Sequence, residues 1–175
     1  MATYKIDAAH SEIGFKIKHL VISTVSGGFS KFDATMEAGQ ADFTDASISF
    51  EADVNSISTN NEQRDGHLKG ADFFDAEKYP KITFSSTSIE KEGDNEYVLH
   101  GDLTIRDVTK NITLHVEHGG GIIDPWGHSR EGFELAGKIS RKEFGLKWNA
   151  LTEAGGAVVG DDVRLAINIE MVKQA

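Results

Sequence analysis

Apolar and polar residues alternate along most of this chain, and that period of two constrains the fold more than any other feature. Ile13, Phe15, Ile17 and His19 alternate with Glu12, Gly14, Lys16 and Lys18. The same rhythm recurs in Ile48–Val54, Leu99–Ile105, Ile112–Val116, Phe133–Ile139 and Val163–Met171. Successive side chains of an extended strand point to opposite faces, so each stretch presents one apolar and one polar face. That is the pattern of half-buried antiparallel strands. Turn-forming residues separate the stretches: Glu92-Gly93-Asp94-Asn95, Arg106-Asp107-Val108-Thr109, Gly119-Gly120-Gly121 and Asp124-Pro125-Trp126-Gly127. The pattern predicts about eight strands, several around ten residues long, joined as an up-and-down meander. One apolar face per strand must then be closed upon itself, as a barrel or a sandwich.

One segment departs from the alternation. Thr59-Asn60-Asn61-Glu62 has the spacing of a capping box, with Thr59 as the cap and Glu62 reaching back. Residues 60–70 therefore read as a short helix ending before Gly70. Only Leu68 is apolar within it, so it has no wide apolar stripe of its own. Its expected place is over one end of the β structure, with Phe73 and Phe74 beneath. No linker, repeat or low-complexity run divides residues 1–175, which read as one domain.

Charge and composition narrow the function. Eighteen Lys and Arg face 28 Asp and Glu, a net charge of −10. An acidic chain without a basic run is repelled by phosphate backbones, so nucleic acid is not the expected partner. It also disfavours tight docking on anionic membranes, leaving only transient contact. With no cysteine, disulfides, zinc–thiolate sites and cysteine nucleophiles are excluded. The segment Met1–Asp7 lacks the basic and apolar regions of a secretory leader, which gives the expectation of a cytoplasmic protein, or a periplasmic one if a leader was trimmed.

Catalytic and metal patterns are weak. The seven histidines show neither His-Glu-x-x-His nor His-x-His spacing. His115 and His118, three apart on a strand, point to opposite faces. Gly-x-Ser-x-Gly is absent, and His10-Ser11 reads as a strand-start cap. Gly119–Gly121 lacks the Lys and helix of a phosphate loop and reads as a flexible hairpin end. Arg64-Asp65-Gly66-His67 is the most polar cluster, suited either to acid–base chemistry or to pinning a lid. Phenylalanines recur on the inward faces, where they fill a core or line an apolar cavity. Gly101 and Gly137, on the same faces, fit a cavity or strand coiling equally.

Several runs resemble the YceI-like family, a group of lipocalin-like polyisoprenoid-binding proteins. They are Tyr4 to Asp7, His10-Ser11, Gly28-Phe29, Arg64-Asp65-x-His67-Leu68 with Asp72-Phe73-Phe74-Asp75, and Tyr79-Pro80-x-Ile82-Thr83-Phe84. Gly101-Asp102-Leu103-Thr104-Ile105, Asp124-Pro125-Trp126-Gly127, Arg130-x-Gly132-Phe133, Ile139-x-Arg141-x-x-Phe144-Gly145-Leu146 and Val159-Gly160-Asp161 extend the likeness nearly end to end. Departures are few: Tyr4 where Trp is usual, Ala8 for Pro, and Asp107 for Gly.

The resemblance implies an all-β fold: an extended eight-stranded antiparallel barrel with a short helical insert near residues 60–70. Its pore would hold a long isoprenoid or similar amphiphile, such as a polyprenyl chain or an isoprenoid quinone tail. It implies no catalytic residue, no metal and no cofactor beyond the bound lipid. Strand parity puts Phe15, Ile17, Ile48, Phe50, Phe84, Leu103, Ile105, Leu114, Phe133, Leu135, Leu165 and Ile167 on the lumen. These are the candidate lipid-binding residues, and Arg64, Asp65, His67 and Leu68 are the candidate lid. Two other classes stay open. One is an enzyme acting on a prenyl-type substrate through Arg64, Asp65 and His67, or through His10 and His19. The other is a stress or assembly protein whose barrel is filled by its own side chains. A homodimer is compatible with all three.

Overall fold

A computed structural model describes residues 1–20, 22–149 and 159–175 of the chain. Its strands are β1 (Ala2–Ile6), β2 (Glu12–His19), β3 (Ser23–Phe29), β4 (Phe32–Ala38), β5 (Ser47–Asp53) and β6 (Ile57–Ser58). They continue with β7 (Lys81–Gly93), β8 (Glu96–Ile105), β9 (Val108–Ile123), β10 (Ser129–Ser140) and β11 (Val159–Lys173). One α-helix, α1 (Glu62–Lys69), lies between β6 and β7. Neighbours pair antiparallel in the ring β1-β4-β5-β7-β8-β9-β10-β11, and β11 pairs back to β1. The result is the expected eight-stranded barrel. Closure leaves these strands no unpaired edge along the seam. Among the described residues, no helix is long and apolar enough to cross a membrane.

Three of the eight strands are broken, which is why the described residues hold eleven segments. β1 and β2 are one strand interrupted at Asp7–Ser11, β3 and β4 are interrupted at Ser30 and Lys31, and β5 and β6 at Val54–Ser56. The last two breaks lie side by side: Asp53 N donates to Lys31 O at 2.9 Å and Ser30 N to Ser56 O at 3.3 Å. The first is tied to β11 by Asp7 N to Glu170 O at 2.8 Å, and Glu170 N returns a bond to Ser11 Oγ at 3.0 Å. β11 runs through unbroken, pairing with β1 at Met171–Lys173 and with β2 at Val159–Asn168. A crease therefore crosses three neighbouring strands. On one side of it the ring is closed. On the other, β6 ends the sheet with no strand beyond it among the described residues, and the chain passes into α1.

Two local expectations need correction. The helix is capped by Asn61, whose side chain accepts from Arg64 N at 3.0 Å, and not by Thr59. Asn60 takes the left-handed conformation (φ 61°), so the chain enters the helix two residues later. The Thr59 hydroxyl is engaged elsewhere, donating to Asp65 Oδ1 at 2.6 Å. Gly119–Gly121 is not a hairpin end but part of β9, with Gly120 opposite Gly132 beside a bulge. The hairpin turns instead at Asp124–His128. The cavity reading of Gly101 and Gly137 also falls. A Cβ on Gly101 would sit 2.2 Å from Phe84 Cζ, and one on Gly137 would sit 2.7 Å from Leu114 Cδ2. Neighbouring side chains already use that space.

Arg130 fastens the closed half. Its guanidinium donates to Asp124 at 2.7 Å, to Asp7 at 2.8 Å and to Glu170 at 3.0 Å. This joins the β9–β10 turn, the first strand break and β11. The Arg130 bond, with backbone N–H groups of His128 and Trp126, lowers the Asp124 carboxyl from 3.8 to about 2. Asp7 is lowered too, by His10 and Arg130. A carboxylate whose pKa is depressed on folding stabilises the fold fully above its unfolded value and loses that contribution as pH falls through the folded value. Stability should therefore drop as pH falls from about 4 to about 2. Asp124→Asn is expected to melt lower at neutral pH and to show a shallower loss across that window, read from thermal melts over a pH series.

Candidate functional site

The barrel encloses a cavity of about 350 Å3. This falls in the range of small-molecule sites, roughly 300–1,000 Å3. Eleven of the twelve residues placed on the lumen by strand parity line it; the twelfth, Phe133, lines a smaller space of about 60 Å3 further in. Ala34, Ile48, Leu99, Leu135 and Ile169 border both spaces. Ile13, Ile112, Ile139, Val163 and Ile169 also line it. They follow the same parity as their neighbours and were legible from it. Phe29, Phe73, Phe74, Leu146 and Trp148 complete the wall near α1. Phe73, Leu146 and Trp148 come from irregular segments, where period two gives no signal.

Polar side chains reach the cavity at the α1 end only. They are His19, Thr59, Arg64, His67 and Arg141, with Lys18 beside them on the outer face of β2, and no carboxylate is among the lining residues described. Thr59 organises this mouth. It receives Arg64 Nε on its hydroxyl and Arg64 NH2 on its carbonyl, both at 2.7 Å. Its N–H donates to Asp65 Oδ1 at 2.8 Å. His67 bonds Asp72 at 3.0 Å and sets its ring edge-on to Trp148 (4.7 Å between centroids) and Phe73 (5.1 Å). Of the four candidate lid residues, Arg64, His67 and Leu68 line the cavity, and Asp65 holds the helix to Thr59. Arg64 and Asp65 meet at Thr59 while His67 turns to Asp72, and these bonds hold α1 in place.

Arg141 was visible in the sequence only as part of a motif, with no role. It is 2% exposed and donates to the carbonyls of Gly160 (2.8 Å), Trp148 (2.8 Å), Val159 (3.3 Å) and Leu146. Burial lowers its pKa, offset by the charge of Asp161. It thus ties the segment after β10 to the start of β11 at the cavity mouth.

The other titratable clusters lie away from this cavity. His10 bonds Asp7 at 2.8 Å in the first strand break. Asp7, His10 and Glu170 present ligand atoms within 4.8 Å of one another, but Arg130 already bonds both carboxylates. His115 is exposed, while His118 turns inward, bonds Glu131 at 2.6 Å and stacks on Phe133 at 4.9 Å. The two do point to opposite faces.

Comparison with known proteins adds to this geometry. A family model described as a YceI-like domain matches residues 4–171. A protein named YceI from Escherichia coli O157:H7 is 41% identical over 175 residues, covering 99% of this chain and 88% of the relative. Among solved structures, Burkholderia cenocepacia BcnA superposes with a TM-score of 0.82 at 25% identity, covering 94% of this chain and 98% of the other. The Campylobacter jejuni YCEI protein gives 0.77 at 35% identity, covering 97% and 96%. A polyisoprenoid binding domain from Saccharophagus degradans shares the fold, at a TM-score of 0.70 and 15% identity over 98% of each chain.

Proposed function

This chain belongs to the YceI-like family, and on that premise we propose that its barrel binds the tail of a long-chain isoprenoid or similar amphiphile without transforming it. The observation that carries the reading is the enclosed, apolar cavity with its polar groups gathered at one mouth. An amphiphile has the matching polarity: an aliphatic tail for the lumen and a polar head for His19, Arg64 and His67. The Saccharophagus neighbour, described as a polyisoprenoid binding domain, favours an isoprenoid tail. A barrel filled by its own side chains fits poorly with a space of about 350 Å3.

Energetics suit a carrier. Each buried methylene contributes ~0.8 kcal/mol relative to water. A tail of several isoprene units would exceed the practical ceiling of roughly −18 to −21 kcal/mol if water were the alternative. The alternative is a bilayer, where the tail is already dry, so barrel and membrane compete near parity. Loading then needs transient contact with a bilayer. Ile22, 85% exposed at the β2–β3 turn, stands beside Lys18 and His19 at the mouth and is the natural apolar contact.

Native mass spectrometry with organic extraction, on protein purified without detergent, tests the reading. A long-chain lipid released on denaturation is the expected result. Protein that co-purifies with no lipid and takes up neither a polyprenyl phosphate nor an isoprenoid quinone would overturn it. Turnover of a prenyl diphosphate, lost in a folded His67→Ala variant, would replace it with the enzymatic alternative.

A further inference from the structure

The outer face of β10, β11 and β2 carries charge in bands. Lys138 lies opposite Arg164, and Arg164 opposite Lys16, so three exposed cations share one row. Two residues further along each strand, Ala136, Ala166 and Gly14 form a row without long side chains, and Gly28 of β3 extends it. Two residues beyond, Glu134 lies opposite Asn168 and Asn168 opposite Glu12. Glu117 and Glu96 prolong this row onto β9 and β8. Like charges directly opposite one another across strands are destabilising. The cationic band is built from them, as is the acidic row where Glu134, Glu117 and Glu96 meet, and the only ion pair that either band makes within the described residues is Lys138 to Asp162 at 3.7 Å, between two exposed side chains.

We propose that this face binds a second copy of the chain. A partner of uniform charge, such as an anionic bilayer, would be drawn to one band and repelled by the other. A second copy packed face to face, with its strands reversed about the Ala136–Ala166–Gly14 row, meets each band with the opposite one. Lys138 then faces Glu134 of the second copy, Lys16 faces its Glu12, and Arg164 faces its Asn168. The symmetry is a two-fold axis lying along the small-residue row, so each contact is made twice. The absence of bulk in that row lets the two sheets approach. The face is about three strands wide on a convex barrel. That puts the interface at the low end, below about 1,200 Å2, where association is transient. Its dependence on opposed exposed charges makes it weaken with salt.

Sedimentation and light scattering on the full chain at low ionic strength test the proposal. The wild type is expected to self-associate at high protein concentration and to dissociate as salt is added. K16E/K138E alone and E12K/E134K alone should each associate at least tenfold more weakly, because every opposed pair becomes repulsive. Mixed one to one, the two variants restore opposite charges at every position and should form a heterodimer. K31E/K110E changes the net charge equally, outside the face, and should associate as the wild type does. All substituted side chains are exposed, and circular dichroism confirms that each variant is folded. A wild type that stays monomeric throughout, variants that dimerise undiminished, or a mixture that does not associate would each overturn the proposal.

Discussion

Leu165→Trp combined with Leu135→Trp is expected to weaken lipid capture by about 100-fold while leaving the barrel folded. Both side chains are half-buried and line the cavity from β11 and β10. Each indole is larger than the leucine it replaces and would take up lumen volume that the tail needs. If the two rings together exclude three or four methylenes of the tail, the loss is about 2.4–3.2 kcal/mol, or roughly 50- to 200-fold. The measurement is the lipid-bound fraction in native mass spectra after exposure to lipid vesicles. Leu103→Arg would also block the lumen, but Leu103 is 8% exposed and sits opposite Phe84. A charge buried there would endanger the fold itself. Capture undiminished in the folded double variant would show that the tail does not occupy this part of the lumen.

Arg141→Met is expected to lower the unfolding free energy by about 3–5 kcal/mol. The substitution keeps the aliphatic stem but takes the guanidinium donor from the carbonyls of Gly160, Leu146 and Trp148, while Val159 O keeps the Asn149 amide at 2.8 Å. Orphaning buried acceptors costs about 1–3 kcal/mol each, reduced where water can enter. Arg141→Lys should recover only part of the loss, since an ammonium cannot span four carbonyls as the planar guanidinium does. Urea denaturation of the three proteins, with slopes compared to confirm a common transition, reads the effect. A change below about 1 kcal/mol would mean that water replaces the guanidinium at little cost.

The lumen was legible because alternation is a strict rule within a strand. Once Phe15 and Ile17 were assigned inward, Ile13 had to follow, and the structure puts all three on the cavity wall. Phe133 obeys the same parity yet lies further along the barrel, since parity gives the face and not the height. The crease was not read, although its signals were present. Asp7 and Asp53 each accept a backbone N–H two residues on, at 3.1 and 3.0 Å. These Asx turns interrupt a strand without breaking its apolar pattern, so a reading based on hydropathy passes over them. Trp148 and Arg141 were beyond reach for a different reason. Their positions depend on how irregular segments fold back over the barrel end, and no local period encodes that.

The open side of the crease separates two properties that a closed barrel would couple. In a continuous ring, admitting a bulky guest means parting two strands and breaking ladder hydrogen bonds, so exchange is slow in proportion to how stable the barrel is. Here, among the described residues, β6 has no strand beyond it, and α1 is the next element. Displacing α1 disturbs the bonds at Thr59 and ring contacts at His67, while the closed ladder stays intact. For the proposed lipid guest, exchange would then be set by a local opening, which proteins undergo at far lower free energy than global unfolding. Mutations that raise the melting temperature through the closed half should leave the residence time of the guest unchanged, so the molecule can be robust and quick to unload at once.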